Sequence, residues 1–96
     1  MAIKIFKYVL KAATEQRVSM PDTADILAAQ AQGNDLCIWA KVEIGDGHYP
    51  VMLPRTIEVF GTGETMPEFP RKYIGTTQME GGKLVWHVFE RLGKYD

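Results

Sequence analysis

The chain has 96 residues, of which 46% are hydrophobic and 24% are charged, a balance typical of one globular domain rather than of a disordered protein. The formal net charge is −1 and no basic run is present, which disfavours nucleic acid as the main partner. No stretch approaches the length of a membrane span and the opening MAIKIFKYVL lacks a signal-peptide pattern, so we expect a cytoplasmic protein that does not bind a membrane.

Two short strands are predicted near the N-terminus. Residues 3–10, IKIFKYVL, combine apolar side chains with two interspersed lysines, which is typical of a strand. Residues 12–14 form the expected turn. Residues 17–20 then form a short second strand, which we expect to pair with the first.

Residues 19–33, SMPDTADILAAQAQG, are compatible with two structures. Their propensity favours a helix, because capping residues precede the apolar run and a glycine ends it. The alternative is a strand over residues 25–32, a tight turn at Gly33 and Asn34, and a return strand. Large residues then lie opposite small ones, which packs well. The facing pairs would be Leu27–Ala40, Ala28–Trp39 and Ala29–Ile38.

Two more strands are expected in the middle of the chain. They cover residues 36–44, LCIWAKVEI, and residues 55–60, RTIEVF, with the loop GDGHYP between them. The glycines of residues 61–63 end the second of these strands. The loop that follows contains Pro67 and Pro70, neither of which can donate a hydrogen bond to a strand ladder.

Residues 73–92, YIGTTQMEGGKLVWHVFERL, are predicted to form the β-hairpin around which the chain packs. Gly81 and Gly82 can both adopt the positive φ of a type I′ turn, which would place Glu80 opposite Lys83. The second strand of this hairpin is apolar on both faces, so we expect both faces to be covered. Trp86 on this strand is predicted to be a core anchor.

Four fragments of the chain carry a family pattern. They are IKIFKYVL, MPDTADILAAQAQ followed by CIWAKV, FGTG, and YIGTTQMEGGKLVWHVFE. Together they resemble a family of small domains of unknown function encoded in bacterial genomes, phages and prophages. The resemblance covers most of the chain, and its most specific part is the closing pattern YIGT-x-Q-x-x-GG-x-LV-x-H-x-FE. It implies a strand at residues 25–32, where the family has β-branched residues in place of Ala29 and Ala31, and it implies no catalytic residue.

We therefore predict a single all-β domain over residues 1–96. The expected architecture is a small antiparallel barrel or sandwich of about six to seven short strands, which leaves few exposed edges. The alternative is an α+β fold with one helix in residues 21–33.

No arrangement of residues predicts catalysis. Residues 61–63 could hold a phosphate with their backbone N–H groups, although a turn that ends a strand explains the glycines as well. Cys37, His48 and His87 match no compact metal-ligand spacing, and a single cysteine allows no internal disulfide. The carboxylates are scattered and form no acid–base pair. We therefore predict that the protein is not an enzyme and uses no metal or cofactor.

Two kinds of binding function stay open. The first is a non-enzymatic protein that acts through a protein interface. The resemblance implies a phage or prophage accessory protein, which would bind a host or phage protein and inhibit a host defence factor. The second is the binding or sequestration of a small nucleotide-like ligand. A flat apolar patch would favour the first, and a basic, concave, aromatic-lined pocket the second. The candidate binding residues are Arg55, Gly61, Thr62, Gly63, Lys72, Tyr73, His87, Trp39, Tyr49 and His48.

A symmetric homodimer with the hairpin at or near its interface is also predicted. Residues 84–89 are apolar on both faces and lack a fixed charge that would guard an edge, so this strand could pair with a second copy. Light scattering at micromolar concentration is expected to give twice the mass of one chain. A monomer mass over a wide concentration range would contradict the dimer, and would mean that the chain covers its own hairpin.

Overall fold

The computed structural model describes residues 1–47 and 49–93. Its strands are β1 (Ala2–Val9), β2 (Glu15–Pro21), β3 (Asp25–Gln32), β4 (Asp35–Ile44), β5 (Met52–Gly61), β6 (Arg71–Met79) and β7 (Leu84–Arg91). A short turn, Glu80–Gly82, joins β6 to β7.

The strands form two antiparallel sheets that pack as a sandwich. The first sheet has the order β1-β4-β3, and the second has the order β2-β5-β7-β6. β3 and β6 lie against each other along one side, where the Ala31 N–H donates a hydrogen bond of 3.1 Å to Thr77 Oγ1. The all-β prediction is confirmed, and the alternative of a helix in residues 21–33 is wrong.

β3 is a strand because packing overrides its helical propensity. Ile26 and Ala29 are both buried in the core, although residues three apart in a regular strand would point to opposite faces. A bulge at Leu27 resolves the conflict by shifting the register, so that Ile26 instead of Leu27 pairs with Ala40. The register predicted for Ala28 and Ala29 is confirmed, and the register predicted for Leu27 is wrong because of the bulge.

β2 does not pair with β1, contrary to the prediction. It pairs with β5 in the other sheet, because the connection after β1 crosses between the sheets. At the start of this connection the Leu10 N–H donates to the Leu36 carbonyl at 2.8 Å, and at its end the Val59 N–H donates to the Thr14 carbonyl at 2.8 Å. The two ends are thus attached to different sheets, which prevents a β1–β2 hairpin.

The β6–β7 hairpin has the predicted register from Met79–Leu84 to Gly75–Val88. Beyond Gly75, a bulge at Ile74 shifts the pairing by one residue. β7 lies between β5 and β6, so both of its edges are paired within the chain. The expectation that β7 offers an unpaired edge is therefore wrong, and the homodimer itself stays a prediction.

The loop of this hairpin is longer than predicted. Glu80 and Gly81 occupy the left-handed region, with φ of 52° and 65°, and Gly82 follows with φ of 90°. The Lys83 N–H closes the loop by donating to the Glu80 carbonyl at 3.3 Å. The predicted two-residue turn and the Glu80–Lys83 ladder pair are wrong, because Glu80 itself takes a turn position.

The core lies between the sheets and draws side chains from both. Trp86 packs against it but is only half-buried, so the predicted core anchor stands at the border of the core. Val88, which is fully buried, takes the central position on β7. The core residues are Leu10, Met20, Ile26, Ala29, Leu36, Ile38, Ala40, Ile57, Val59 and Val88.

Gly75 allows β6 to approach β3 closely. A Cβ atom at this position would lie 3.1 Å from the oxygen and 3.4 Å from the nitrogen of Ala29, both of which belong to the backbone of β3. We expect Gly75→Ala to lower the free energy of unfolding by about 1–3 kcal/mol, the usual cost of overpacking, as measured by urea denaturation. Gly45→Ala is the control, because a Cβ atom there meets nothing within 4 Å. Equal losses in the two variants would contradict the close approach.

Candidate functional site

A chain of hydrogen-bonded side chains lies on the outer face of the second sheet, the face turned away from the core. The Tyr73 hydroxyl lies 2.6 Å from Thr76 Oγ1, which lies 3.0 Å from His87 Nδ1. The other ring nitrogen, His87 Nε2, lies 2.8 Å from Thr62 Oγ1. The bulge at Ile74 makes this possible, because it brings Tyr73 and Thr76 to the same face. The structure thus brings together three predicted site residues, Thr62, Tyr73 and His87.

This arrangement holds His87 without activating it. Both ring nitrogens contact threonine hydroxyls, and a hydroxyl can either donate or accept, so both neutral tautomers of the ring are satisfied. A catalytic histidine needs a nucleophile on one side and an orienting group, commonly a carboxylate, on the other. In the described part of the chain, each ring nitrogen of His87 contacts a threonine hydroxyl, and no carboxylate hydrogen-bonds to the ring. The geometry therefore favours a structural histidine.

Residues 61–64 form a tight turn at the end of β5. The Glu64 N–H donates to the Gly61 carbonyl at 3.1 Å, and Glu64 Oε1 accepts from the Gly61 N–H at 2.9 Å. Gly63 has a φ of 92°, which only glycine adopts readily. Because a carboxylate of the chain already occupies the Gly61 N–H, this turn is poorly suited to holding a phosphate.

A buried ion cluster occupies the same outer face. Glu58, whose side chain is 2% exposed, accepts hydrogen bonds of 2.7 Å from both Arg71 Nε and Arg91 Nη2. The Arg71 guanidinium lies 5.3 Å from the centre of the Phe60 ring, and that of Arg91 lies 4.3 Å from the centre of the Phe69 ring. The aromatic rings shield the charges from water, and the cluster covers this face without a further layer of structure.

This cluster could not be predicted from the sequence because no local pattern marks the bulge at Ile74. With that bulge, Arg71 lies opposite Arg91 at the far end of the hairpin from its loop. A charged residue within an apolar strand, such as Glu58 in β5, was the available signal. Its partners could have been identified only with the correct hairpin register.

Burial and ion pairing shift the pKa of Glu58 in opposite directions. Burial raises the pKa of its carboxyl group, but the hydrogen bonds and positive charges of Arg71 and Arg91 outweigh burial and hold that pKa below its ordinary value of 4.5. The carboxylate is therefore charged at neutral pH. The cluster stabilises the fold only while that charge is present.

Arg55 and Lys72 lie apart from the turn of residues 61–63. The Arg55 guanidinium pairs with Glu90 through Nε and, at 2.9 Å, through Nη2, and it donates to the Ala24 carbonyl at 3.0 Å. The hydrogen bond with Glu90 also raises the pKa of Arg55. Since Arg55 and Gly61 are six residues apart on β5, roughly 20 Å separates them. The candidate binding residues Arg55, Lys72 and 61–63 therefore do not form one site.

The three aromatic residues among the candidate binding residues, Trp39, Tyr49 and Tyr73, do not lie together. Trp39 lies on the outer face of the first sheet, because its neighbours in β4, Ile38 and Ala40, point into the core. Tyr73 lies on the outer face of the second sheet, and Tyr49, which is 99% exposed, lies in the loop between β4 and β5. His48 lies outside the described residues.

A cleft of about 440 Å³ opens at the end of the sandwich where the β1–β2, β3–β4 and β6–β7 connections meet the turn after β5. Sequence analysis did not predict it, because its residues come from four separate parts of the chain. Its apolar lining comprises Leu10, Ala12, Ala13, Leu36, Val59, Met79, Leu84 and Trp86. Its charged lining comprises Lys11, Asp35, Glu64 and Glu80.

Among residues 1–47 and 49–93, no three His, Cys, Asp or Glu side chains are grouped so that they could hold a metal ion. The same residues include no helix long and apolar enough to span a membrane.

We expect Glu58→Gln to lower the free energy of unfolding by about 3–5 kcal/mol at pH 7, because it leaves Arg71 buried without a counter-charge and leaves Arg91 with only the more exposed carboxylate of Glu15. Since the pKa of Glu58 is lower in the folded than in the unfolded state, its contribution is present above pH 4.5 and is lost as the pH falls through the folded value. The difference in free energy of unfolding between wild type and variant should therefore become smaller in acid. Urea denaturation at a series of pH values measures this difference, and Glu43→Gln, at an exposed position, is the control. A difference that does not change with pH would contradict the ion cluster.

Comparison with known proteins adds a family but no activity. A family model described as "Domain of unknown function (DUF7352)" matches residues 1–95. Neither the search of curated proteins nor the search of solved structures found a match. Since the match spans nearly the whole chain, the chain belongs to the DUF7352 family of domains of unknown function.

Proposed function

We propose that the domain is a non-enzymatic binding protein that holds another protein along the outer edge of β1. Within the described residues, β1 has a strand partner only on its β4 side. Its residues Ile3, Ile5 and Val9 share one face and are 59%, 63% and 54% exposed. A long unpaired edge with exposed apolar side chains is a template for another strand, and this observation carries the proposal.

The other terminal strands are less suited to this role. β3 and β6 lie against each other, so their edges are covered. The exposed side chains of β2 include Glu15, Arg17 and Ser19, which are polar. β1 is therefore the terminal strand that combines an unpaired edge with apolar exposure.

The lysine on this face of β1 is turned away from the edge. Edge strands are commonly protected by lysines that project into solvent. Lys7 instead reaches across β4, and its Nζ donates a hydrogen bond of 2.7 Å to Gln32 Oε1 on β3. The apolar side chains of Ile5 and Val9 are thus left exposed on either side of it.

The partner is proposed to contribute an extended segment. Its backbone would continue the β1-β4-β3 sheet, and its apolar residues would cover Ile3, Ile5 and Val9. An acidic residue of the segment would complement Lys4, which is exposed on β1. In the phage or prophage setting that the family resemblance implies, this partner is a host or phage protein, and the proposal extends to inhibition of a host defence factor.

The nucleotide-binding alternative has less support. The cleft beside Trp86 has three acidic residues and one lysine in its lining, which is unfavourable for phosphate. A second cleft, of about 430 Å³, adjoins Arg55 and Arg91, but both guanidinium groups already pair with carboxylates. Neither of these two clefts is a basic, aromatic-lined pocket.

The proposal is tested by capture from a bacterial lysate with tagged wild-type protein, Ile5→Lys and Val51→Lys as baits. The two variants add the same charge at equally exposed apolar positions, 63% and 61%, but only Ile5 lies on the β1 edge. We expect proteins captured by wild type and Val51→Lys to be lost with Ile5→Lys, while all three baits keep similar stability. A capture profile that Ile5→Lys does not change would contradict the proposal. A dimer that dissociates in Ile5→Lys would assign the edge to a second copy of the chain instead.

A further inference from the structure

We propose that the cleft beside Trp86 binds a small apolar ligand that carries a positive charge, of the class of aromatic primary amines. This inference is separate from the protein-binding edge. It stands on the shape of the cleft, on the charges around it, and on the position of one carboxylate next to an indole ring.

The cleft has the size and the apolar floor of a small-molecule site. Its volume of about 440 Å³ lies within the range of about 300–1,000 Å³ that is usual for ligand pockets. Leu10, Leu36 and Val59 form part of its lining and are also members of the buried core. The floor is therefore held by the hydrophobic core.

The charges of the lining select a cation. Asp35, Glu64 and Glu80 line the cleft against a single cationic residue, Lys11. None of these three carboxylates takes part in the ion pairs found among the described residues. A positive group entering the cleft would thus meet carboxylates without a counter-charge, whereas an anionic ligand would be repelled.

Gly61 places a carboxylate and an aromatic ring next to each other. A Cβ atom on Gly61 would lie 3.1 Å from Glu64 Oε1 and 3.5 Å from Cζ3 of the Trp86 indole. Because Gly61 has no side chain, the Glu64 carboxylate and the Trp86 indole, which both line the cleft, can lie close to the same backbone position. The Gly61 N–H also fixes Glu64 by donating to Oε1 at 2.9 Å.

A carboxylate beside an indole suits an ammonium group on an apolar body. The ammonium donates hydrogen bonds to the carboxylate and is attracted to the π-system of the indole, while the apolar body fills the floor. Two of the loops around the cleft contain residues with positive φ, namely Gly33 in the β3–β4 loop and Glu80 and Gly81 in the β6–β7 loop.

The ligand class is tested with phenethylamine as the probe and with 2-phenylethanol and 3-phenylpropionate as its neutral and anionic counterparts. Trp39→Phe leaves Trp86 as the single tryptophan, so that fluorescence reports on the cleft alone. We expect saturable binding of the amine that weakens with added salt, and at least about tenfold weaker binding of the acid. Equal affinities for the three compounds, or no saturable change with the amine, would overturn the proposal.

A pair of charge-neutralising variants tests the contact with Glu64. Glu64→Gln keeps an oxygen that can accept from the Gly61 N–H but removes the charge, and Glu68→Gln removes one charge from an exposed loop position that does not line the cleft. We expect Glu64→Gln to weaken amine binding on the order of tenfold, as for the loss of one charged hydrogen bond, and to leave binding of the alcohol unchanged. Equal effects of the two variants would mean that only net charge matters, and would overturn the site.

NMR provides a second readout that does not depend on fluorescence. Backbone amide shifts on addition of phenethylamine should concentrate on residues 10–14, 33–36, 61–64 and 79–86. Shifts that concentrate on β1 or on the loop between β4 and β5 would place the amine elsewhere and overturn the proposal.

Discussion

The close approach of β3 and β6 determines how the two sheets are joined. At Gly75 the backbone of β6 comes so near to Ala29 that a Cβ atom would be 3.1 Å from a carbonyl oxygen. This contact, together with the Ala31–Thr77 hydrogen bond, closes one side of the sandwich. The terminal strands on the other side, β1 and β2, belong to different sheets and are joined only through the crossing connection. The edge of β1 is therefore unpaired because the sandwich is closed on the side of β3 and β6 and not on the side of β1 and β2.

The outer face of the second sheet shows how a sheet can be covered without another layer. Its aromatic rings pack on one another, with 6.2 Å between the ring centres of Phe60 and Phe89 and 5.4 Å between those of Tyr73 and Phe89. Beside them, the guanidinium groups of two arginines lie over aromatic rings while they bind Glu58. Long cationic side chains can cover apolar surface in this way because their stems and planar heads are weakly hydrated. The apolar residues on both faces of β7 are thus accommodated without a second chain.

The end of β1 separates two surfaces of different chemistry. Val9 belongs to the exposed edge, whereas the next residue, Leu10, turns into the core and lines the cleft. The edge offers backbone groups and aliphatic side chains, which suit an extended peptide. The cleft offers carboxylates and an indole on an apolar floor, which suit a small cation. The crossing connection after β1 forms part of the cleft, so one structural feature shapes both surfaces.

Much of the fold could be predicted from local patterns in the sequence. Alternating apolar residues, paired glycines and prolines placed the strands at residues 36–44 and 55–60, and they placed the register of the last hairpin as far as Gly75. These features are local, because side-chain alternation and turn geometry depend on neighbouring residues. The family resemblance also indicated a strand at residues 25–32, where propensity alone favoured a helix.

Tertiary structure decided what local patterns could not. The bulges at Leu27 and Ile74 arise because particular side chains must reach the core or a common face, and no local pattern marks them. The pairing of β2 with β5 depends on hydrogen bonds at both ends of the connection to different sheets. The cluster around Glu58 and the cleft beside Trp86 each join residues that are distant in sequence. The sequence by itself thus determined an all-β domain and most of its strands, whereas packing between distant residues decided the strand order, the ion cluster and the cleft, because those depend on long-range contacts.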